Sequence, residues 1–201
     1  GLGLVWSMAM DRGSNQPTPL VRDGVMFLTH PNNKIQAIDA ATGDLIWEYQ
    51  YVFPPASKIL GGPTRNIALW QDRLFLATYD AAIVAIDART GQQLWRSQKA
   101  DYQEAFTHSA GPIVANGIVI SGINGCELFT EAGCFITGHD PDTGQELWRT
   151  STLALPGTPE YATWGDIDPD RRGGGDVWIA GSYDPSSDLI YFGTSQPKPW
   201  A

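Results

Sequence analysis

The sequence predicts an all-β fold, a β-propeller of four-stranded antiparallel blades, and three observations predict it. The pattern Asp-x-x-Thr-Gly-x-x-x-Trp occurs three times, in "AIDAATGDLIWE" (37–48), "AIDARTGQQLWR" (85–96) and "GHDPDTGQELWR" (138–149). Its tryptophans, Trp47, Trp95 and Trp148, stand 48 and 53 positions apart, close to the period of propeller blades. No segment carries sustained helical periodicity.

Each interval reads as four short strands. In the first, "TPLV", "GVMFLT", "KIQAID" and "LIWEYQ" are β-rich runs, divided by "RDG", "HPNN" and "AATG". Those dividers are turn chemistry built on Gly, Asn, Asp and Pro. The second interval repeats the plan as "NIALW", "RLFLAT", "AIVAID" and "QLWRSQ", and the third as "GPIVA", "GIVISG", "FITGHD" and "ELWRTS". One such sheet cannot cover both its faces, so radial stacking buries them. Within the motif, Thr-Gly makes a tight turn where Gly tolerates positive φ. The Asp is placed to bond backbone amides across that turn. The flat Trp is placed to wedge between one blade and the next.

About four blades are represented. Trp6 in "LVWSMAM" reads as the end of an earlier blade, and "GSYDPSSDLIYFGT" (181–194) as the first half of another. The chain is expected to be one partial propeller domain over 1–201, completed by further blades of a longer protein or by a partner. A blade face left open exposes on the order of 400 Å² of apolar surface, or ~10 kcal/mol, which rivals a domain's whole stability. The chain begins with Gly rather than Met and is read as processed or truncated there.

Composition excludes several functions. A net charge of -9, with no lysine or arginine run, speaks against a nucleic-acid partner. No eighteen-residue apolar run offers a transmembrane helix. Cys126 and Cys134 have no zinc-site spacing; a local disulfide closing a hairpin is preferred over two free core thiols. "GLGLVW" lacks the third glycine and the following helix of a dinucleotide fingerprint. His30, His108 and His139 are scattered and read as structural, and "FTHS" is no nucleophile elbow.

The blade motif, with "RNIA", "SAGPIV", "GCE", "GGGDVW", "SYDPSSDLIYFGT" and "KPW" in this order, resembles the PQQ-dependent quinoprotein alcohol dehydrogenases, the methanol and ethanol dehydrogenase-like enzymes of the bacterial periplasm. The resemblance runs from about Val5 to Trp200. It implies an eight-bladed propeller with PQQ near its axis, of which this chain covers roughly the first half. Trp178 matches the indole floor under the PQQ ring, a stack worth roughly 0.5 to 1.5 kcal/mol beyond area burial. The Gly173-Gly174-Gly175 run would let backbone approach the cofactor, and Asp176 would reach the quinone from the side. Arg65 matches an arginine that binds an oxygen of PQQ, whose three carboxylates suit a guanidinium fork. Ser109, Gly125 and Cys126 align with residues lining the same cavity, and Gln16 could hydrogen-bond PQQ where some relatives place a Glu. Glu127 matches the family's calcium-binding glutamate, a hard oxygen ligand. The bland readings are a strand-capping arginine, a solvated turn glutamate and one more packing tryptophan.

Three departures bear on the transfer. The family's second metal ligand is an Asn, and "GTSQPKPW" has Gln196 instead, one methylene longer. "SKILGGPTR" lacks the adjacent cysteines of the better-known members. The loop after Glu127 is two residues longer than the family pattern. The resemblance further implies calcium or a lanthanide as metal, an alcohol substrate oxidised by hydride transfer to PQQ, and a c-type cytochrome as electron acceptor. The catalytic Asp would lie beyond Ala201, so these residues alone are expected to be inactive. No Cys-x-x-Cys-His occurs, so any haem would be elsewhere. The competing reading is a non-catalytic propeller scaffold of the outer-membrane assembly type.

Overall fold

The computed structural model describes residues 1–55, 59, 61–126 and 133–198, and within them three complete blades follow one another. The first sheet is β1 (Leu20–Arg22), β2 (Val25–His30), β3 (Lys34–Asp39) and β4 (Leu45–Gln50), joined in that order as antiparallel hairpins. The second is β5 (Ala68–Trp70), β6 (Arg73–Ala77), β7 (Ala82–Asp87) and β8 (Gln93–Gln98). The third is β9 (Ile113–Ala115), β10 (Ile118–Ser121), β11 (Phe135–His139) and β12 (Glu146–Ser151). A two-stranded hairpin, β14 (Ser182–Asp184) with β15 (Leu189–Tyr191), begins a fourth, and β13 (Gly173–Gly174) pairs with β16 (Pro197–Lys198).

The turn of the repeated motif does in all three copies what its chemistry predicts. Gly43, Gly91 and Gly144 take φ of 81°, 74° and 75°. Asp39 Oδ1 accepts from the amides of Ala41 and Thr42, and Asp87 and Asp140 repeat this with Arg89 and Thr90, and with Asp142 and Thr143. The indoles of the first two copies, and Trp6 before them, dock on the turn of the next blade. Trp6 Nε1 donates to Ala40 O at 3.1 Å, Trp47 to Ala88 O at 3.1 Å, and Trp95 to Pro141 O at 3.0 Å. The ring lies so flat on the turn glycine that a Cβ on Gly91 would sit 2.7 Å from Trp47.

A feature absent from the sequence reading makes room for the ring. The residue paired across the sheet with each motif tryptophan is small: Ala37 opposite Trp47, Ala85 opposite Trp95, Gly138 opposite Trp148. A register shift follows at the next pair in all three blades. The second blade is buried on both faces, as strand periodicity requires of a middle blade. Leu74, Leu76, Val84 and Ile86 pack with Phe27 and Ile35 of the first blade, while Phe75, Ile83 and Ala85 pack with Val119 of the third.

Candidate functional site

The segments leading into β1, β5, β9 and β14 meet at one end of the blades. They are tied in sequence by backbone bonds: Thr18 N donates to Arg65 O at 2.9 Å, and Arg65 N to Ser109 O at 3.3 Å. Side chains complete the tie. Arg65 Nη1 donates to Ser109 O and to Trp178 O, each at 3.2 Å, and Ser109 Oγ to Trp178 O at 3.4 Å. The Arg65 guanidinium also stands over the Trp178 ring, 5.2 Å from its centroid, in cation–π range. Burial pulls the Arg65 pKa down, but a guanidinium keeps its charge. Trp178 is 46% exposed although its neighbour Val177 is buried. An indole held at its backbone yet open at its ring is a platform.

Two asparagines position this set, and neither was read from the sequence. Asn66 accepts from Gly111 N at 2.7 Å and donates to Pro112 O at 3.2 Å, locking the second connector against the third. Gly111 is obligatory there, because a Cβ would meet Asn66 O at 1.8 Å. Asn124 accepts from Ser109 N at 3.1 Å, and its backbone pairs with Thr107. An Asn directly after Arg65 was the one available signal.

Beside the platform lies a second cluster. Cys126 and Cys134 form a disulfide with Cα atoms 5.3 Å apart. The buried Asp176 carboxylate sets Oδ1 3.2 Å and 3.3 Å from the two sulfurs. Ser195 clasps it from the other side: its Oγ donates to Asp176 Oδ2 at 2.9 Å and accepts from Asp176 N, while Ser195 N donates to Asp176 O. Two cysteines and a carboxylate in this arrangement resemble a metal ligand set. With both sulfurs in a disulfide neither is a thiolate, so the trio is not a ready one.

The remaining sequence candidates fall as follows. Gly125, at φ 92°, passes so close to Ala105 that a Cβ would meet its carbonyl at 1.9 Å. Gly173, Gly174 and Gly175 are buried by protein: a Cβ on Gly175 would meet Leu153 and Thr152 at 2.9 Å, so its missing side chain accommodates the connector rather than a ligand. Gln16 is exposed, two residues before Thr18. Gln196 is exposed beside Ser195. Glu127 lies outside the described residues.

With this geometry in hand, the chain was compared with known proteins. Residues 5–200 match the family described as PQQ: Glucose/ethanol/alcohol dehydrogenase, beta-propeller domain. The chain belongs to that family. Among its curated members, the quinohemoprotein alcohol dehydrogenase ADH-IIG of Pseudomonas putida is 34% identical, over 99% of this chain and 30% of that protein. The quinoprotein alcohol dehydrogenase PedH of Pseudomonas putida is also 34% identical, over 98% and 36%. The chain thus spans about a third of the length of these relatives. Among solved structures, a europium-containing methanol dehydrogenase superposes with a TM-score of 0.81 at 26% identity, covering 96% of this chain and 38% of that one. BamB from Moraxella catarrhalis, at 17% identity and a TM-score of 0.57, shares the fold alone.

Proposed function

We propose that this chain supplies the PQQ-facing part of a periplasmic quinoprotein alcohol dehydrogenase that hands its electrons to a c-type cytochrome. The observation that carries the reading is the half-exposed Trp178 ring held under the Arg65 guanidinium at the meeting point of the blade connectors. A planar polyanion fits such a place: the indole gives a flat apolar floor and the guanidinium a bidentate partner for a carboxylate. When bound, PQQ supplies a two-electron acceptor for hydride from an alcohol carbon. Within this chain, Trp178 would offer a flat floor to the cofactor, and Arg65 and Ser109 would offer donors to its oxygens. Asp176, its carboxyl held by Ser195, lies buried beside this set. By the family resemblance, Glu127 and Gln196 would offer oxygen to calcium or a lanthanide, hard cations that take such ligands. A scaffold of the outer-membrane assembly type has equal use for the blades, but none for an open indole under a guanidinium.

The test is reconstitution of the full-length protein with PQQ and calcium, following dye reduction by alcohols. Trp178→Ala is expected to weaken PQQ retention at least tenfold while the β-rich circular dichroism stays, because the half-exposed ring contributes little to the core. Retention equal to that of the parent protein would remove the platform reading and leave only a propeller.

A further inference from the structure

Lys99 opens the connector between β8 and β9, and only 4% of its surface is exposed. Its ammonium reaches from the second blade into the third. There it donates to Ser121 O at 3.0 Å, Ser121 Oγ at 2.8 Å and Gly122 O at 2.8 Å, so three donors meet three oxygens. Glu146, the carboxylate whose field it feels, is paired with Arg149 at 2.7 Å instead. Burial, and then the Arg149 charge, pull the Lys99 pKa well below the ordinary lysine value, while hydrogen bonds to the ammonium favour its protonated form. Taking an ammonium out of water without an ion partner is costly, and an apolar side chain of similar volume would fill a purely structural position at less cost.

The oxygens that Lys99 holds mark the exit of β10 towards the platform. Successive residues of an extended strand face opposite ways. The carbonyls of Ser121 and Gly122 instead converge on one ammonium, so the chain bends there. Two routes lead from the bend to the site. Ile123 O accepts from Val177 N at 3.0 Å, which seats the residue before Trp178. Gly122 packs so closely on Val177 that a Cβ would meet it at 2.2 Å. On the other route, Asn124 Oδ1 accepts from Ser109 N at 3.1 Å, and Ser109 Oγ donates to Trp178 O. A displaced bend would move the indole and the serine together.

We infer that Lys99 is a positioning residue of the cofactor platform: by drawing two successive carbonyls onto one ammonium, it fixes the bend from which Trp178 and Ser109 are held. The inference rests on the proposed PQQ site for its consequence in binding, and on the fold alone for the placement of Trp178.

The experiment uses the full-length protein labelled with 5-fluorotryptophan, with the resonances of Trp47, Trp95 and Trp178 assigned by their loss in single Trp→Phe variants. Lys99→Met keeps the length and the apolar stem but cannot donate. Without PQQ, its Trp178 fluorine resonance is expected to shift or broaden, while those of Trp47 and Trp95, docked between blades, stay in place. With PQQ and calcium, cofactor affinity measured by equilibrium titration should fall at least tenfold. A Trp178 resonance that stays in place would overturn the inference. So would one that moves together with Trp47 and Trp95, the mark of a core residue only, or an unchanged PQQ affinity. Ser121→Ala removes one of the three oxygens and leaves Lys99 in place, which covers the case in which Lys99→Met does not fold. Its Trp178 resonance should move in the same selective way and PQQ affinity fall about threefold; no response would overturn the inference equally. If the parent protein takes up no PQQ while Lys99→Met still moves Trp178 alone, the positioning of Trp178 by Lys99 stands and the quinoprotein reading falls.

Discussion

Arg65 holds two backbone carbonyls and covers an aromatic ring with a single side chain. A guanidinium stacks flat on the ring and spreads its donors over a rigid plane, whereas a lysine ammonium is a compact point charge, which is why lysine is not a conservative exchange at this position. Arg65→Lys in the full-length protein should keep the charge yet lose the stack and the fork. The expected outcome is roughly a tenfold loss of PQQ affinity, corresponding to about 1.4 kcal/mol, measured by fluorescence titration of the apoprotein. A variant that binds PQQ as tightly as the parent would show that charge alone suffices. Ser195 illustrates what the sequence concealed at this scale. A serine in an extended "GTSQ" stretch carries no local signal, yet it satisfies both the backbone and the carboxylate of Asp176, nineteen positions earlier. Lys99 is a second case: it follows β8 in sequence, but its ammonium is buried on Ser121 O, Ser121 Oγ and Gly122 O. Partners of that kind are chosen by tertiary proximity, which spacing along the chain does not encode.

At the scale of the element, the docking of an indole on a glycine turn separates two effects that usually arrive together. Gly91 has φ 74° and a tryptophan against it, whereas Gly24 has φ 79° and nothing within 4 Å of a built Cβ. Gly24→Ala therefore carries only the left-handed backbone cost of about 1–2 kcal/mol. Gly91→Ala adds the displacement of Trp47, a further 1–3 kcal/mol or so of overpacking. Urea unfolding of the two variants should place Gly91→Ala clearly below Gly24→Ala, and equal midpoints would mean that the ring does not seat on the turn. The same contrast explains which elements were legible. β3, β4, β7, β8 and β12 coincide with the runs read from the sequence, because period-two alternation and glycine turns are local information. The connectors were not legible, since they have no period and are placed by bonds such as Asn66 to Gly111 and Asn124 to Ser109. The convergence of Arg65, Ser109 and Trp178 was legible only as an ordered set of family motifs. The 3-10 helices Pro159–Trp164 and Pro169–Arg171 were not legible at all.

Across the molecule, buried ionisable groups concentrate where the second and third blades meet, and they set how stability responds to acid. His108 Nδ1 lies 2.9 Å from Thr78 O, and His139 Nδ1 3.0 Å from Gly144 O, so each ring donates to a carbonyl in its neutral form. Burial pushes the pKa of both below the ordinary 6.5, that of His108 well below. The charges facing them are Lys99 and Arg149, which oppose protonation, and Glu146, which favours it at His139 but is itself paired with Arg149 at 2.7 Å. The unfolded chain takes up protons near pH 6.5 while the folded chain does not, so the unfolded state gains as pH falls. Stability from these rings is thus complete above about pH 6.5 and declines from there towards their folded pKa values, by up to about 1.4 kcal/mol per pH unit for each histidine. The motif carboxylates act in the same direction but in a separate, more acidic window. Amides of their own turns hold Asp87 and Asp140 below the ordinary carboxylate value of 3.8, so their contribution is lost only below about pH 4. Urea midpoints measured between pH 7 and pH 5 should therefore fall before any carboxylate titrates. His108→Gln, which keeps a donor for Thr78 O but cannot be protonated, should flatten that slope by about a third, since burial lowers the pKa of His30 as well. An unaltered slope would mean that His108 is already charged in the fold, and that the interface between the blades holds a cation its surroundings are arranged to reject.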